Sequence, residues 1–275
     1  MAAAIPAESD SELWLRNRVQ HRSDKYFDQW SRRDLDLQAY LELQQRMVAG
    51  GDLAVALEIS SSTKDKLFSV MSQQRLARVF DAQGNADKAR EVLDMAVRGT
   101  YSIESEEERV IAIADYALTE GKLGLIDDSA DSFLKASILA RSIQEPEAQT
   151  VAFSAIAEYF HKAGRKVDAT DFLAQAMDSA LELPMNTAVR DLAIRHVALT
   201  EVRLGMTEQA TDHANMIIDP FAAVSTLHGI ALELERTGDE QKARLTLNMA
   251  YRAGSLISDS DKREILLEKI KLAGN

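Results

Sequence analysis

Apolar positions recur with helical spacing along the chain, most clearly in residues 151–183. Ile156, Ala157 and Phe160 fall at i, i+1 and i+4, which puts them on one face of a predicted helix. Residues 161–165 predict a turn. The helix predicted after this turn again has one apolar face, made by Ala169, Leu173 and Ala176. A hairpin of this size cannot bury its apolar face alone, so it needs further copies of itself.

The sequence supplies six copies of this hairpin from residue 34 onward. Each has a glycine at its predicted turn: Gly51, Gly84, Gly121, Gly164, Gly205 and Gly238. In copies two to six an aliphatic residue and an alanine stand eight and seven positions before it: Leu76-Ala77, Ile113-Ala114, Ile156-Ala157, Val197-Ala198 and Ile230-Ala231. In five copies an alanine follows the glycine at +5: Ala56, Ala89, Ala169, Ala210 and Ala243.

The third copy departs from this spacing, because the alanine after Gly121 is delayed until Ala130. A longer turn is therefore predicted, with Leu134 and Ser137 on the core face of the following helix. Four positions before the glycine, the other copies have a large apolar residue. This pattern is broken in the third and fifth copies, which have Ala117 and Glu201 there. The predicted core of the repeats consists of Leu76, Ala77, Phe80, Ala89, Ile156, Ala157, Phe160, Ala169, Leu173, Ile230, Ala231, Ala243 and Leu247.

The pattern Leu/Ile-Ala-x2-Phe-x3-Gly-x4-Ala-x3-Leu-x2-Ala resembles the tetratricopeptide repeat (TPR), a helix–turn–helix unit of about 34 residues. The resemblance covers roughly residues 38–255. It implies an all-α, right-handed solenoid of about six hairpins. Four features depart from the family pattern: no tryptophan opens a repeat, the small residue of the first helix is alanine and not glycine, the middle copies are longer, and the closing proline is displaced.

In proteins with such repeats the first helix of each hairpin lines a concave groove, and the resemblance implies the groove positions of this chain. The main candidates are Gln74, Arg78, Asp115, Ser154, Glu158, His161, Arg195 and His228. The groove positions stand 13, 10, 6 and 3 residues before the turn glycine, and they also select Gln38, Gln45, Asp81, Glu108, Ser225 and Glu235. A solvated helix face is the competing interpretation. The family's clamp for C-terminal carboxylates, made of lysines and asparagines, is absent, which disfavours binding of chaperone tails.

The two ends of the chain differ from the repeats, which divides it into residues 1–33, 34–258 and 259–275. Residues 12–33 predict a helix, and the N-terminal segment contains an aromatic group formed by Trp14, Tyr26, Phe27 and Trp30. We favour a cap that closes the first repeat, because solenoids need atypical ends. The alternative is an arm that docks on a partner or a membrane surface. Residues 259–275 predict an amphipathic C-terminal cap helix.

Composition narrows the function further. The formal net charge of −12 disfavours a nucleic-acid partner, which needs clustered cations. The absence of cysteine excludes disulfides, thiolate nucleophiles and cysteine-based zinc sites. No apolar run is long enough to predict a transmembrane segment. The start of the chain lacks the features of a signal peptide, so we expect a cytoplasmic protein. An exported protein whose signal peptide has been removed is the alternative.

No catalytic motif or cofactor-binding loop is found in the sequence. His161, His196 and His228 lie on successive first helices, but such histidines seldom reach metal-binding geometry. We therefore expect neither metal nor cofactor, and a non-catalytic scaffold that binds a peptide or helix of a protein partner in the groove. The alternative is a structural repeat protein that forms homo-oligomers through its aromatic N-terminal segment.

Overall fold

The computed structural model describes residues 53–62, 65–255 and 257–273, and every regular element within these ranges is an α-helix. In chain order the described helices are α1 (Leu53–Ser62), α2 (Lys66–Ala82), α3 (Ala86–Thr100), α4 (Glu106–Lys122), α5 (Ile126–Ser142), α6 (Pro146–Lys162), α7 (Lys166–Glu182), α8 (Ala188–Arg203), α9 (Thr207–Ala214), α10 (Pro220–Arg236), α11 (Glu240–Ser255) and α12 (Ser260–Ala273). The predicted all-α fold is confirmed.

The helices from α2 to α11 form five consecutive hairpins, which correspond to copies two to six. Helix α1 is the second helix of the first copy, and its Ala56 is buried as the repeat pattern requires. Within a hairpin the second helix packs on the first, and first helices also pack on the first helices of neighbouring copies, as α4 does on α2 and α6. The all-α fold is therefore built as a helical repeat.

The predicted core is also confirmed, since all thirteen residues assigned to it are buried. The described chain divides into two compact units. The N-terminal unit holds the described residues up to Ser179, and its first helices α2, α4 and α6 form what we call the first-helix layer. The C-terminal unit starts at Ala180. In it α10 packs on α8, and the predicted C-terminal cap helix α12 packs on α11.

The five described hairpin turns share one geometry. Their glycines, Gly84, Gly124, Gly164, Gly205 and Gly238, have φ between 77° and 84°. In the fourth copy the Gly164 amide donates to the His161 carbonyl at 2.9 Å, and the Arg165 amide donates to the Phe160 carbonyl at 2.8 Å. These bonds satisfy carbonyl groups that the end of a helix leaves open.

One prediction was wrong: the turn glycine of the third copy is Gly124, and Gly121 lies inside α4. Counted from Gly124, the buried face of α5 includes Ser129, Phe133 and Ala136 at the repeat positions. These residues have the same offsets as Ala169, Leu173 and Ala176 in the fourth copy. The third copy thus keeps the regular turn, shifted by three residues.

A serine explains why the spacing was misassigned. Ser129 takes the place of the expected alanine, and its hydroxyl donates to the Ala117 carbonyl of α4 at 2.7 Å. The hydroxyl is therefore satisfied although it is buried. Ala130 and Leu134, which were expected in the core, are exposed, whereas Ser137 is buried as expected.

The Gly124→Ala variant should cost about 1–2 kcal/mol of stability, because a Cβ disfavours the left-handed conformation. The free energy of unfolding, measured by chemical denaturation, checks this expectation. Gly124→Asn is the matched control, since asparagine tolerates this conformation better. Equal losses in both variants would show that positive φ is not the cause.

Three aromatic rings join helices α5, α6 and α7 in the N-terminal unit. Phe160 stacks on Phe133 with ring centroids 4.5 Å apart, and on Phe172 with centroids 5.3 Å apart. The Arg165 guanidinium lies 4.5 Å from the centroid of the Phe160 ring. Phe160 is therefore the centre of the packing between the third and fourth copies.

Two buried glutamates stand four positions before their turn glycines, where other copies have Phe80, Phe160 or Leu234. In the third copy this residue is Glu120, and not Ala117 as the sequence pattern suggested. Burial raises the pKa of the Glu120 carboxyl, while the hydroxyls of Ser132 and Tyr116 act to lower it. The fold therefore accommodates a carboxyl group at a position that is otherwise apolar.

The second of these glutamates, Glu201, pairs with a histidine in the C-terminal unit. Its carboxylate Oε2 lies 2.9 Å from His213 Nδ1, which joins α8 to α9. The hydrogen bond to Glu201 raises the pKa of His213, and burial opposes this effect. The pair therefore links α9 to α8 through a polar contact.

Helix α9 is much shorter than the other second helices of the described hairpins, because it ends at Ala214. Beyond this end, the Ile218 and Asp219 amides each donate to the Asp191 carboxylate at 3.0 Å. Asp191 is buried at the start of α8. Its carboxylate thus replaces helical hydrogen bonds and directs the chain into α10.

Helix starts agree with their sequence signals. The Ser105 hydroxyl accepts a hydrogen bond from the Glu108 amide at 3.2 Å and caps α4. Pro146 and Pro220 are the first residues of α6 and α10, where the missing N–H of proline costs nothing. The third, fourth and sixth copies therefore begin at residues that favour the start of a helix.

Candidate functional site

Three of the predicted groove residues, Arg78, Asp115 and Glu158, belong to a concentration of polar side chains on the first-helix layer of the N-terminal unit. We call it the first-helix polar cluster. It consists of Arg75 and Arg78 from α2, Asp115, Thr119 and Lys122 from α4, and Glu158, Tyr159 and Lys162 from α6.

Arg78 and Asp115 form the centre of the cluster. Arg78 Nη1 lies 3.3 Å from Asp115 Oδ1 and donates to Thr119 Oγ1 at 2.6 Å. The Thr119 hydroxyl in turn donates to the Asp115 carbonyl at 2.8 Å. Asp115 is buried, and its second carboxylate oxygen, Oδ2, has no hydrogen-bond partner among the described residues. The centre therefore joins α2 to α4 and keeps one acceptor unused.

Two further cations lie in the electrostatic field of this pair. Burial lowers the pKa of Arg75, whereas the Asp115 carboxylate acts to raise it. Burial also lowers the pKa of Lys122, and the positive charges of Arg78, Lys162 and Arg75 add to this effect. The mutual influence of these four side chains shows that the cations of three successive first helices are close enough to interact.

The third helix of the layer adds a tyrosine and an ion pair. Burial raises the pKa of the Tyr159 hydroxyl, and the negative charges of Asp115 and Glu158 add to this effect. Lys162 Nζ lies 3.6 Å from Glu158 Oε2 and 4.9 Å from the centroid of the Tyr159 ring. With four cations and two carboxylates, the cluster is positive in a chain of formal net charge −12.

The other candidate groove residues differ in their exposure. Gln74 and Ser154 are buried within the first-helix layer, and Gln74 Nε2 donates to the Ala112 carbonyl at 3.0 Å. His161 is half-buried near the end of α6. The expectation that Gln74 and Ser154 face a groove is therefore corrected, because their side chains lie between packed helices.

In the C-terminal unit, Arg195 is half-buried on α8, and His228 is buried on α10. The expectation that His228 faces the groove is thus also corrected. The structure describes neither Gln38 and Gln45 nor the aromatic residues proposed for docking, which are Trp14, Tyr26, Phe27 and Trp30. The choice between a cap and an arm therefore stays a prediction.

Sequence reasoning missed three of the four cations. Arg75 stands nine positions before Gly84, an offset that was not among the groove positions, and Asp115 has the same offset from Gly124. Lys122 and Lys162 both stand two positions before their turn glycines. The sequence shows that Arg75 matches Asp115, and that Lys122 matches Lys162, only when Gly124 is taken as the turn glycine of the third copy.

The described part of the chain contains no group of three or more His, Asp or Glu side chains placed to hold a metal ion. Among the described helices, none has both the length and the apolar character needed to cross a membrane.

Comparisons with known proteins give no family model that matches and no match among curated proteins. Among solved structures, Ton1535 from Thermococcus onnurineus NA1 is similar over 91% of this chain and 99% of its own, with 14% identity and a TM-score of 0.41. A kinesin-light-chain-like protein of Podosopora anserina with nearly identical TPR-like repeats covers 70% of this chain and 97% of its own, with 16% identity and a TM-score of 0.38. BtubC from P. vanneervenii covers 77% and 91%, with 15% identity and a TM-score of 0.38. From its own repeated hairpins, the chain has the all-α fold of a helical-repeat protein.

Proposed function

We propose that the protein is a non-catalytic scaffold that binds a peptide or helix of a protein partner on the first-helix layer. The observation that carries this proposal is the first-helix polar cluster, which spans three successive copies. Repeat proteins offer extended surfaces of this kind because each copy adds an equivalent helix beside the previous one.

The charges of the cluster indicate the kind of segment it would bind. Lys122 and Lys162 are exposed at the ends of α4 and α6, and Arg75 is half-buried between charged neighbours. An acidic segment gains from these cations, whereas Asp115 is buried and acts by holding Arg78 in place. The partial burial of the cluster strengthens such contacts relative to those on an open surface.

The charge-reversed variant Lys122→Glu/Lys162→Glu should lose binding to acidic peptides selected from a displayed library on the unmodified protein. Both side chains are exposed, so the change removes attraction without disturbing the core. Fluorescence anisotropy with the selected peptides measures the effect. We expect affinity to fall by about tenfold or more, since two attractive contacts become repulsive.

The matched control is Lys88→Glu/Lys242→Glu, which reverses two lysines on the second helices α3 and α11. It changes the net charge equally and should leave peptide affinity unchanged. If both double variants bind the peptides alike, total charge governs binding and the first-helix layer is not the site. Failure to select any peptide on the unmodified protein would also contradict the proposal.

A further inference from the structure

Helix α5 has a second apolar face that points away from the core. Ile126, Ala130, Leu134 and Ile138 are spaced four residues apart, so they form one stripe along the full length of the helix. The side chains of Ile126, Leu134 and Ile138 are 66%, 56% and 59% exposed, and Ala130 is exposed as well. We call these four residues the α5 stripe. Among the described helices it is the longest exposed apolar row with this spacing.

The charges beside the stripe are arranged by sign along the helix. Asp127 and Asp131 lie in its first half, and Lys135 and Arg141 lie in its second half. Asp131 and Lys135 are both exposed. They lie on the same flank of the stripe, since four residues are close to one helical turn.

This order of charges is self-complementary. A second copy of α5 that runs in the opposite direction brings its positive charges beside the negative charges of the first. In two antiparallel copies packed face to face, a flank meets the same flank of the other copy in the opposite direction. Asp131 of each copy then lies beside Lys135 of the other, and Leu134 lies next to its own counterpart near the two-fold axis. In a parallel pair related by a two-fold axis, this flank would instead face the opposite flank of the other copy, so Asp131 and Lys135 would not meet.

From this self-complementarity, we propose that the α5 stripe is a contact between two copies of this chain, with the two α5 helices antiparallel. The proposal does not rest on the first-helix polar cluster, because the stripe lies on a second helix. The stripe is isologous in this arrangement, so the contact closes as a dimer and does not continue into a fibre.

The size of the stripe indicates a weak dimer. A helix of 17 residues is about 25 Å long and about 10 Å wide, so its face covers on the order of 250 Å². A stable interface buries about 800 Å² on each partner. The dimer should therefore form at micromolar or higher concentration and dissociate on dilution.

Sedimentation of the full chain over a wide concentration range tests the proposal. The 30.4-kDa chain should approach twice this mass at high micromolar concentration. Leu134→Lys should abolish the association, whereas Val167→Lys, at an even more exposed apolar site on α7, should leave it unchanged. A chain that stays monomeric at every concentration, or a dimer that Leu134→Lys does not weaken, overturns the proposal.

Charge exchange tests the antiparallel pairing itself. Asp131→Lys alone and Lys135→Asp alone should each weaken the dimer roughly tenfold or more, because two symmetry-related contacts become repulsive. A mixture of these two variants should form a heterodimer, since every contact is then again between opposite charges. The double variant Asp131→Lys/Lys135→Asp should dimerise like the unmodified chain. If neither the mixture nor the double variant recovers association, α5 does not pair in this way.

The absence of cysteine from the sequence allows a direct geometric test. Leu134→Cys should form a disulfide-linked dimer under mild oxidation, because Leu134 lies near the two-fold axis. Ile126→Cys should not, since the two copies of this residue lie at opposite ends of the paired helices. Equal cross-linking of both variants would indicate random collision and would overturn the antiparallel contact.

Discussion

Replacing Phe160 by alanine should lower the free energy of unfolding by about 3–5 kcal/mol, the usual cost of removing a buried phenylalanine ring. The ring is buried and stacks on both Phe133 and Phe172, so its removal leaves a cavity between three helices. It also removes the aromatic face under the Arg165 guanidinium. Chemical denaturation followed by circular dichroism measures the loss.

Leu134→Ala is the control for this prediction, because it also truncates a large apolar side chain in the N-terminal unit. Leu134 is exposed, so its truncation should change stability by less than about 0.5 kcal/mol. The comparison also tests the corrected third copy, since the original spacing placed Leu134 in the core. A large loss for Leu134→Ala would contradict the assignment of Gly124 as the turn glycine.

Replacing His213 by alanine should lower the stability of the C-terminal unit by about 1.5–3 kcal/mol near neutral or mildly acidic pH, the worth of a hydrogen bond to a charged group. The substitution leaves the buried Glu201 carboxylate without its partner on α9. Because the burial of an unpaired charge is costly, we expect the effect to exceed that of a surface ion pair.

The pH dependence of this effect follows from the pKa of His213, which the folded state raises above its ordinary value of about 6.5. The folded protein therefore binds the proton more tightly than the unfolded chain does. The stabilisation is fully present below about pH 6.5 and is lost as the pH rises through the raised pKa. The stability difference between the unmodified chain and His213→Ala should accordingly shrink as the pH rises above about 6.5 and through the raised pKa.

A double variant serves as the control for the buried carboxylate. Glu201→Leu/His213→Ala places leucine where the sixth copy has the buried Leu234. It should be more stable than His213→Ala alone, because replacing a buried polar pair by apolar groups is often neutral. If the single and double variants are equally stable, the unpaired carboxylate is not the source of the loss.

The repeated hairpins could be predicted from the sequence because each turn needs a residue that tolerates positive φ, and glycine marks this place. The third copy was misassigned because two glycines, Gly121 and Gly124, are available, and because Ser129 replaces the small apolar residue after the turn. A small side chain is what the packing requires, and serine fulfils this once its hydroxyl finds a backbone carbonyl.

The early end of α9 could not be predicted in the same way. Neither glycine nor proline follows Ala214 directly, and the group that satisfies the free amides, Asp191, lies 27 and 28 residues earlier. Of the residues in the first-helix polar cluster, the groove offsets select Arg78 and Glu158, and they select Asp115 only when counted from Gly121. Gln74 and Ser154 were misjudged because a polar residue on a helix face is not necessarily exposed, and packing between first helices covers both.

The first-helix polar cluster also sets the length of a segment that can use all of it. Packed helices lie about 8–10 Å apart, so the three helices from α2 to α6 span about 20 Å between their axes. An extended chain advances about 3.3–3.6 Å per residue, so about six residues cross this distance. A short linear stretch within a larger partner is therefore long enough to reach from Arg75 on the first helix to Lys162 on the third.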